Sequence, residues 1–263
     1  MNTFFIYKQT LNNDGETNDY AWAQRRVVKR IYEISNIFKN VWGNSAINTR
    51  IRCVVAGQLP YSHGNDLAWF NSSYGAPKNF FWGIANAPYF TTRPLDNNNT
   101  SATVSQLLDQ LEASKNELFD NRNMDYPAAI AAYYGLEFMS YEGGPDTFGP
   151  NNTQAKNDLN FDPRMKTITY DFLTRWYQNG GKQFNWYLNG CGGNNYLGQN
   201  GTFTLHKWLN DSTINMKYQG VKQMLESPTT PEITAGVPIP GACKATQTVG
   251  YPNNFADHLF FYG

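Results

Sequence analysis

The sequence predicts an α/β protein built on a parallel sheet, with about four strand–helix units, from three observations. Short, nearly continuous apolar runs alternate with longer stretches in which apolar residues recur at helical spacing. Glycine and proline stand at the ends of those stretches, where helices and strands stop. Strands that alternate with helices imply right-handed crossovers and a parallel sheet. A closed (β/α)8 barrel needs eight such units, so four units describe half a barrel or an open sheet.

The first helix runs from Tyr20 to Trp42. Ala23, Val27, Val28, Ile31, Ile34, Ile37 and Phe38 lie on one face, with Arg25, Arg26, Lys29 and Arg30 opposite. Arg50–Gln58, centred on Cys53-Val54-Val55-Ala56, reads as the first buried strand, and a short helix follows near Asp66–Tyr74. Phe80–Tyr89 is the second strand and ends at Pro88. A polar loop from Asp96 to Ser101 precedes a helix that starts at Thr103 and carries Leu107, Leu108, Leu111 and Leu118. A further helix spans Tyr126–Tyr134, with Pro127 in its first turn and Gly135 as its stop. The third strand, Leu136–Glu142, closes on Gly143-Gly144-Pro145. A helix from Pro163 to Gln178 stops at Gly180-Gly181, the fourth strand occupies Gln183–Asn189, and a last helix spans Met216–Leu225.

These elements place the (β/α) portion in residues 1–226. Residues 227–263, with Pro228, Pro231, Pro238 and Pro240, have linker composition and could begin a further module. Cys53, Cys191 and Cys243 form no C-x-x-C pair, and their odd number allows one bridge at most. His206 and His258 lack partners at metal-ligand spacing, and no phosphate loop, dinucleotide fingerprint or Gly-x-Ser-x-Gly elbow occurs. Neither a metal nor a cofactor is expected.

Lys+Arg and Asp+Glu both number 21, so no net field favours nucleic acid or an anionic membrane. No apolar stretch is long enough to span a bilayer. Aromatic residues make up 16% of the chain, beside many Asn and Gly. Sugars stack their C–H faces on rings and pair their hydroxyls with amides and carboxylates, so a carbohydrate is the ligand class that this composition fits. Acceptor sequons at Asn71, Asn98, Asn99, Asn151, Asn200 and Asn210 suit an extracellular surface, although the opening residues lack the pattern of a signal peptide.

In parallel α/β folds the ligand lies beyond the carboxyl ends of the strands. Those ends carry Gln58, Asn86 to Tyr89, Tyr141-Glu142 and Trp186 to Asn189: one carboxylate, phenols, an indole and amides. Glu142 is the candidate catalytic carboxylate, the alternative being a buried strand-end carboxylate held by an arginine or by backbone amides. Tyr89, on the neighbouring strand, could donate a hydrogen bond to Glu142 and hold it ionised. Trp186 reads equally as sugar platform or core. Tyr141, Asn86 and Asn189 complete the set of binding candidates, together with His63 in the loop after the first strand.

Tyr141-Glu142-Gly143-Gly144 after an apolar strand resembles the seventh-strand motif of the large clan of retaining (β/α)8 glycoside hydrolases that use two glutamates. Gly83–Phe90 is similar to the sixth strand of that clan, Trp186-Tyr187 to its eighth, and Lys217-Tyr218-Gln219 to its closing helix. The resemblance covers about residues 20 to 226. It implies a TIM-barrel fold to which this chain supplies the last four units, with Glu142 as nucleophile acting on an oligo- or polysaccharide. The acid/base of that clan sits in an Asn-Glu pair ending the fourth strand, and no such pair precedes Tyr20. Asn116-Glu117 falls within a helix. The expectation is therefore a glycosidase completed by an upstream half-barrel, a partner chain or self-association, or else a non-catalytic carbohydrate-binding protein on the same scaffold.

Overall fold

The structure, a computed structural model, describes residues 14–58, 63–121, 123–189, 202–206 and 215–227. Cys191, Cys243, His258 and the proline-rich stretch 228–263 lie outside them. The described residues fall into two compact units, one from 14–85 and 126–139 and the other from 86–125 and 140–227. The fold is α/β with parallel strands.

The first unit begins with helix α1 (Asp19–Trp42). Asn18 caps it by accepting from the Ala21 N–H, Asp19 and Lys39 complement the helix dipole at the two ends, and Gly43 stops it at φ +83°. Trp22, Val28 and Ser35 are buried. Ser35 Oγ donates to Phe80 O at 2.8 Å, and Lys39 Nζ donates to Asn79 O at 2.8 Å, which ties the helix to the residues leading into β2. Strands β1 (Val54–Ala56) and β2 (Gly83–Asn86) are parallel, with Val54 opposite Gly83 and Ala56 opposite Ala85. Helix α2 (Gly64–Tyr74) lies between them in sequence, and its Phe70 meets Tyr32, Phe80 and Phe81 in one aromatic cluster. Strand β4 (Glu137–Ser140) lies next to β2, and the Glu137 N–H donates to Trp82 O at 2.9 Å.

The second unit holds β3 (Tyr89–Thr91) and β5 (Gly144–Asp146), a parallel pair with Tyr89 opposite Gly144 and Thr91 opposite Asp146. Around them lie α3 (Arg93–Asn98), α4 (Val104–Asp120), α6 (Thr153–Asp158), α7 (Pro163–Gln178), β6 (Gly181–Phe184) and α8 (Met216–Glu226). Helix α5 (Asp125–Tyr134) leads into β4. A capping box starts α4, in which Thr103 and Gln106 satisfy each other's backbone N–H groups. Leu107, Leu108 and Leu111 bury its apolar stripe, and Met165, Ile168, Phe172 and Trp176 bury that of α7. The polar faces of the two helices meet through Lys115–Asp171 and Arg175–Asp120.

The helices follow the sequence reading within one or two residues at most ends, while the strands do not. The first strand is three residues long instead of the nine in Arg50–Gln58. Pro88 cannot donate to a ladder, and the run Phe80–Tyr89 divides there into β2 and β3. The expected loop Asp96–Ser101 starts as helix α3, whose Pro94 is in the first turn. The fourth strand lies earlier than predicted, at Gly181–Phe184 instead of Gln183–Asn189. Gly144 and Pro145, read with Gly143 as the turn that closes the third strand, belong to strand β5.

Candidate functional site

Glu142 stands on the short link between β4 and β5, inside the second unit, and backbone contacts hold that link from both sides. The Tyr141 N–H donates to Asn86 O at 3.2 Å, the Gly144 N–H to Pro88 O at 3.3 Å and the Tyr187 N–H to Gly143 O at 3.0 Å. Ser140 Oγ closes the link on itself by donating to Glu142 O at 2.6 Å. Both glycines are required by packing. A Cβ on Gly143 would lie 2.8 Å from Phe184 Cζ and 3.0 Å from Pro88 O. One on Gly144, whose φ is +126°, would lie 3.2 Å from the Trp186 ring.

Glu142 opens onto a cleft of about 290 Å³, lined also by Tyr89, Arg93, Asp146, Tyr187 and Phe203. Tyr89 and Asp146 come from the β3–β5 pair, and Arg93 starts α3. Tyr187 follows β6. Phe203 is placed by its neighbour Thr202, whose N–H donates to Thr147 Oγ1 at 2.6 Å and whose carbonyl accepts from Lys217 Nζ. The Leu205 and His206 N–H groups donate to Leu188 O and Asn189 O, which sets this segment beside the one carrying Tyr187. A larger cavity of about 400 Å³ lies in the first unit, next to Pro77, Lys78, Tyr133 and Tyr134. It offers one ammonium and no carboxylate, so the smaller cleft carries the richer chemistry.

Within the cleft the two carboxylates differ. Asp146 Oδ2 is ion-paired with Arg93 Nε at 2.7 Å and accepts from Thr91 Oγ1 at 3.5 Å, and its Oδ1 accepts from the Phe148 N–H at 2.9 Å. Both of its oxygens are thus engaged. The carboxylate of Glu142 has no ion pair or hydrogen bond among the described residues and faces the cleft half-buried. Burial, followed by the charge of Glu142, raises the Tyr89 phenol well above its ordinary range, and the same two causes raise Tyr141. Tyr89 and Glu142 share no hydrogen bond, where the sequence predicts one; the negative charge of Glu142 instead disfavours ionisation of the neutral phenol.

A phenol whose pKa is raised on folding contributes stability that is fully present below the unfolded value, near 10, and is lost as the pH rises above it. Tyr89→Phe is therefore expected to flatten the alkaline side of the stability profile between about pH 10 and 11, as read by urea denaturation, and to leave the neutral region unaffected in slope.

The other predicted residues sit elsewhere. Trp186 is half-buried against Gly144, its Nε1 donating to Phe203 O at 3.4 Å, and supports the cleft from behind the glycines. Tyr141 is half-buried outside the cleft lining, Asn86 is fully buried, and Asn189 is exposed beside His206. His63 belongs to the first unit, where it is buried at φ +61° with Nδ1 3.6 Å from the Asp66 carboxylate. Arg93, Asp146 and Phe203 escaped the sequence reading, which names Tyr187 among the strand-end residues but chooses Trp186 as the platform. The signal for Asp146 was present, since it lies four residues beyond Glu142. No cluster of three or more metal-ligating side chains occurs among the described residues. No helix among them is long and apolar enough to cross a membrane. Comparison with known proteins gave no match to a family model, to a curated protein or to a solved structure.

Proposed function

We propose that this chain is the carboxy-terminal part of a retaining glycoside hydrolase with a (β/α)8 TIM barrel, acting on an oligo- or polysaccharide outside the cell. The observation that carries the reading is Glu142: a carboxylate without a counter-ion among the described residues, opening two residues beyond a strand end onto a cleft walled by three aromatic rings. In this reading Glu142 attacks the anomeric carbon and forms a glycosyl ester as the glycosidic bond breaks. An acid/base protonates the departing oxygen, and water, deprotonated by the same group, then cleaves the ester.

Asp146 is a poor candidate for that acid/base, because its oxygens are engaged by Arg93, Thr91 and the Phe148 N–H. The acid/base is assigned to an upstream half-barrel segment or a partner chain. The end of α1 supports such a partner, since Ile37, Phe38, Val41 and Trp42 are all exposed there. The alternative is a non-catalytic carbohydrate-binding protein on the same scaffold, favoured by the engagement of Asp146.

A mechanism-based glycosyl inactivator applied to the completed enzyme is expected to esterify Glu142, as located by peptide mass mapping. Labelling of a different carboxylate, or turnover without any label, would overturn the assignment. Hydrolysis of aryl glycosides by the completed enzyme and binding without hydrolysis would separate the two readings.

A further inference from the structure

The three rings of the cleft pack against one another edge to face. Tyr89 and Tyr187 have centroids 6.4 Å apart at an interplanar angle of 80°, Tyr89 and Phe203 6.2 Å at 75°, and Tyr187 and Phe203 5.7 Å at 74°. Edge-to-face contacts of this kind join the three rings into one aromatic wall of the cleft. A cation is attracted by an aromatic ring within roughly 6 Å of its centroid, so an ammonium held in the cleft beside this wall is favoured.

The charges around that wall point the same way. Arg93 lines the cleft but is matched by Asp146 at 2.7 Å, and its guanidinium lies over the Phe148 ring. Glu142 is left as the charge without a counter-ion among the described residues of the cleft. A neutral sugar satisfies the rings through its C–H faces but leaves Glu142 uncompensated. An ammonium satisfies the aromatic wall and the carboxylate together.

We propose that the cleft recognises a protonated amine, and that the substrate is a glycan containing amino sugar units with free amines. The inference rests on the carbohydrate reading above and narrows it to one substrate class.

The test is calorimetric titration of the chain with three tetrasaccharides of equal length: one of glucosamine, one of N-acetylglucosamine and one of glucose. The glucosamine tetramer is expected to bind at least about tenfold more tightly than either neutral one, and its advantage is expected to shrink as salt rises. Tyr187→Leu, at a position already 41% exposed, alters no charge and should abolish most of that preference, and Phe203→Leu should do the same. Retained thermal unfolding of the Tyr187 variant separates loss of recognition from loss of fold. Equal binding of the three tetramers, or a preference that survives both variants, would overturn the inference and leave the carbohydrate reading standing. Binding of none of them, by the chain or by the completed enzyme, would remove both.

Discussion

Replacing Lys156 by methionine is expected to lower the unfolding free energy by about 3–5 kcal/mol, the usual consequence of removing one partner of a buried ion pair. Lys156 and Asp96 are both essentially inaccessible, at 1% and 0% side-chain exposure, and Nζ lies 2.8 Å from Oδ2. The pair is embedded in a network. Nζ also donates to Gly149 O at 3.1 Å, Asp96 Oδ1 accepts from Asn152 Nδ2 at 3.0 Å, and the same amide donates to Asn99 O at 2.6 Å. Methionine approximates the volume of the lysine stem, so packing changes little and the loss reports the charge left on Asp96.

The consequence reaches the cleft, because Asp96 belongs to α3, the helix that begins with Arg93. An uncompensated buried carboxylate in its first turn would loosen that helix and, with it, the Arg93–Asp146 pair. Urea denaturation measures the effect. Lys156→Met combined with Asp96→Asn, which removes both charges, is expected to recover more than half of the loss. A single-variant loss below about 1 kcal/mol would mean that the pair is solvated in solution.

The α/β class and the helices were legible in the sequence because each helix presents several turns of periodic apolar residues and carries its own stop signals. Pro163 with Gly180-Gly181, and Thr103 before Leu107, Leu108 and Leu111, are local signals that need no tertiary context. The strands are three or four residues long, shorter than the window over which alternation can be counted, and they are fixed by ladder partners remote in sequence. Strand β5 shows the difference: Gly144 and Pro145 are turn residues by composition, and only the pairing with Tyr89 and Phe90 makes them a strand.

The site was partly legible for the same reason. Glu142 follows from its place just beyond a strand end; Tyr89 was read as the end of the strand Phe80–Tyr89 and instead opens β3, yet both line the cleft. Choosing Trp186 over Tyr187 depended on which side of the chain faces the ligand, and neighbouring residues in an extended segment face opposite ways. Phe203 reaches the cleft through Thr202 and its contacts with Thr147 and Lys217, and Arg93 is held by an aspartate 53 positions downstream. Nothing local in the sequence reports either contact.

Substitution of Gly144 by alanine is expected to destabilise the chain by about 2–4 kcal/mol, through two separable effects. At φ +126° a side chain is strained in whatever space it has, which accounts for about 1–3 kcal/mol. The added methyl would also stand 3.2 Å from Cε2 and Cζ2 of Trp186, closer than a relaxed contact, so the indole must move. Trp186 is tethered through Nε1 to Phe203 O, and Gly144 itself is tethered through its N–H to Pro88 O. Moving either displaces a wall of the cleft or the link bearing Glu142. Gly144→Ala is therefore expected to weaken tetrasaccharide binding as well as stability, with a change in tryptophan fluorescence reporting the shift of the indole. Trp186→Leu in the same chain would relieve the contact while leaving the backbone strain, so part of the deficit should persist in the double variant. Full recovery would assign the whole effect to the indole, and no recovery would assign it to the backbone at Gly144.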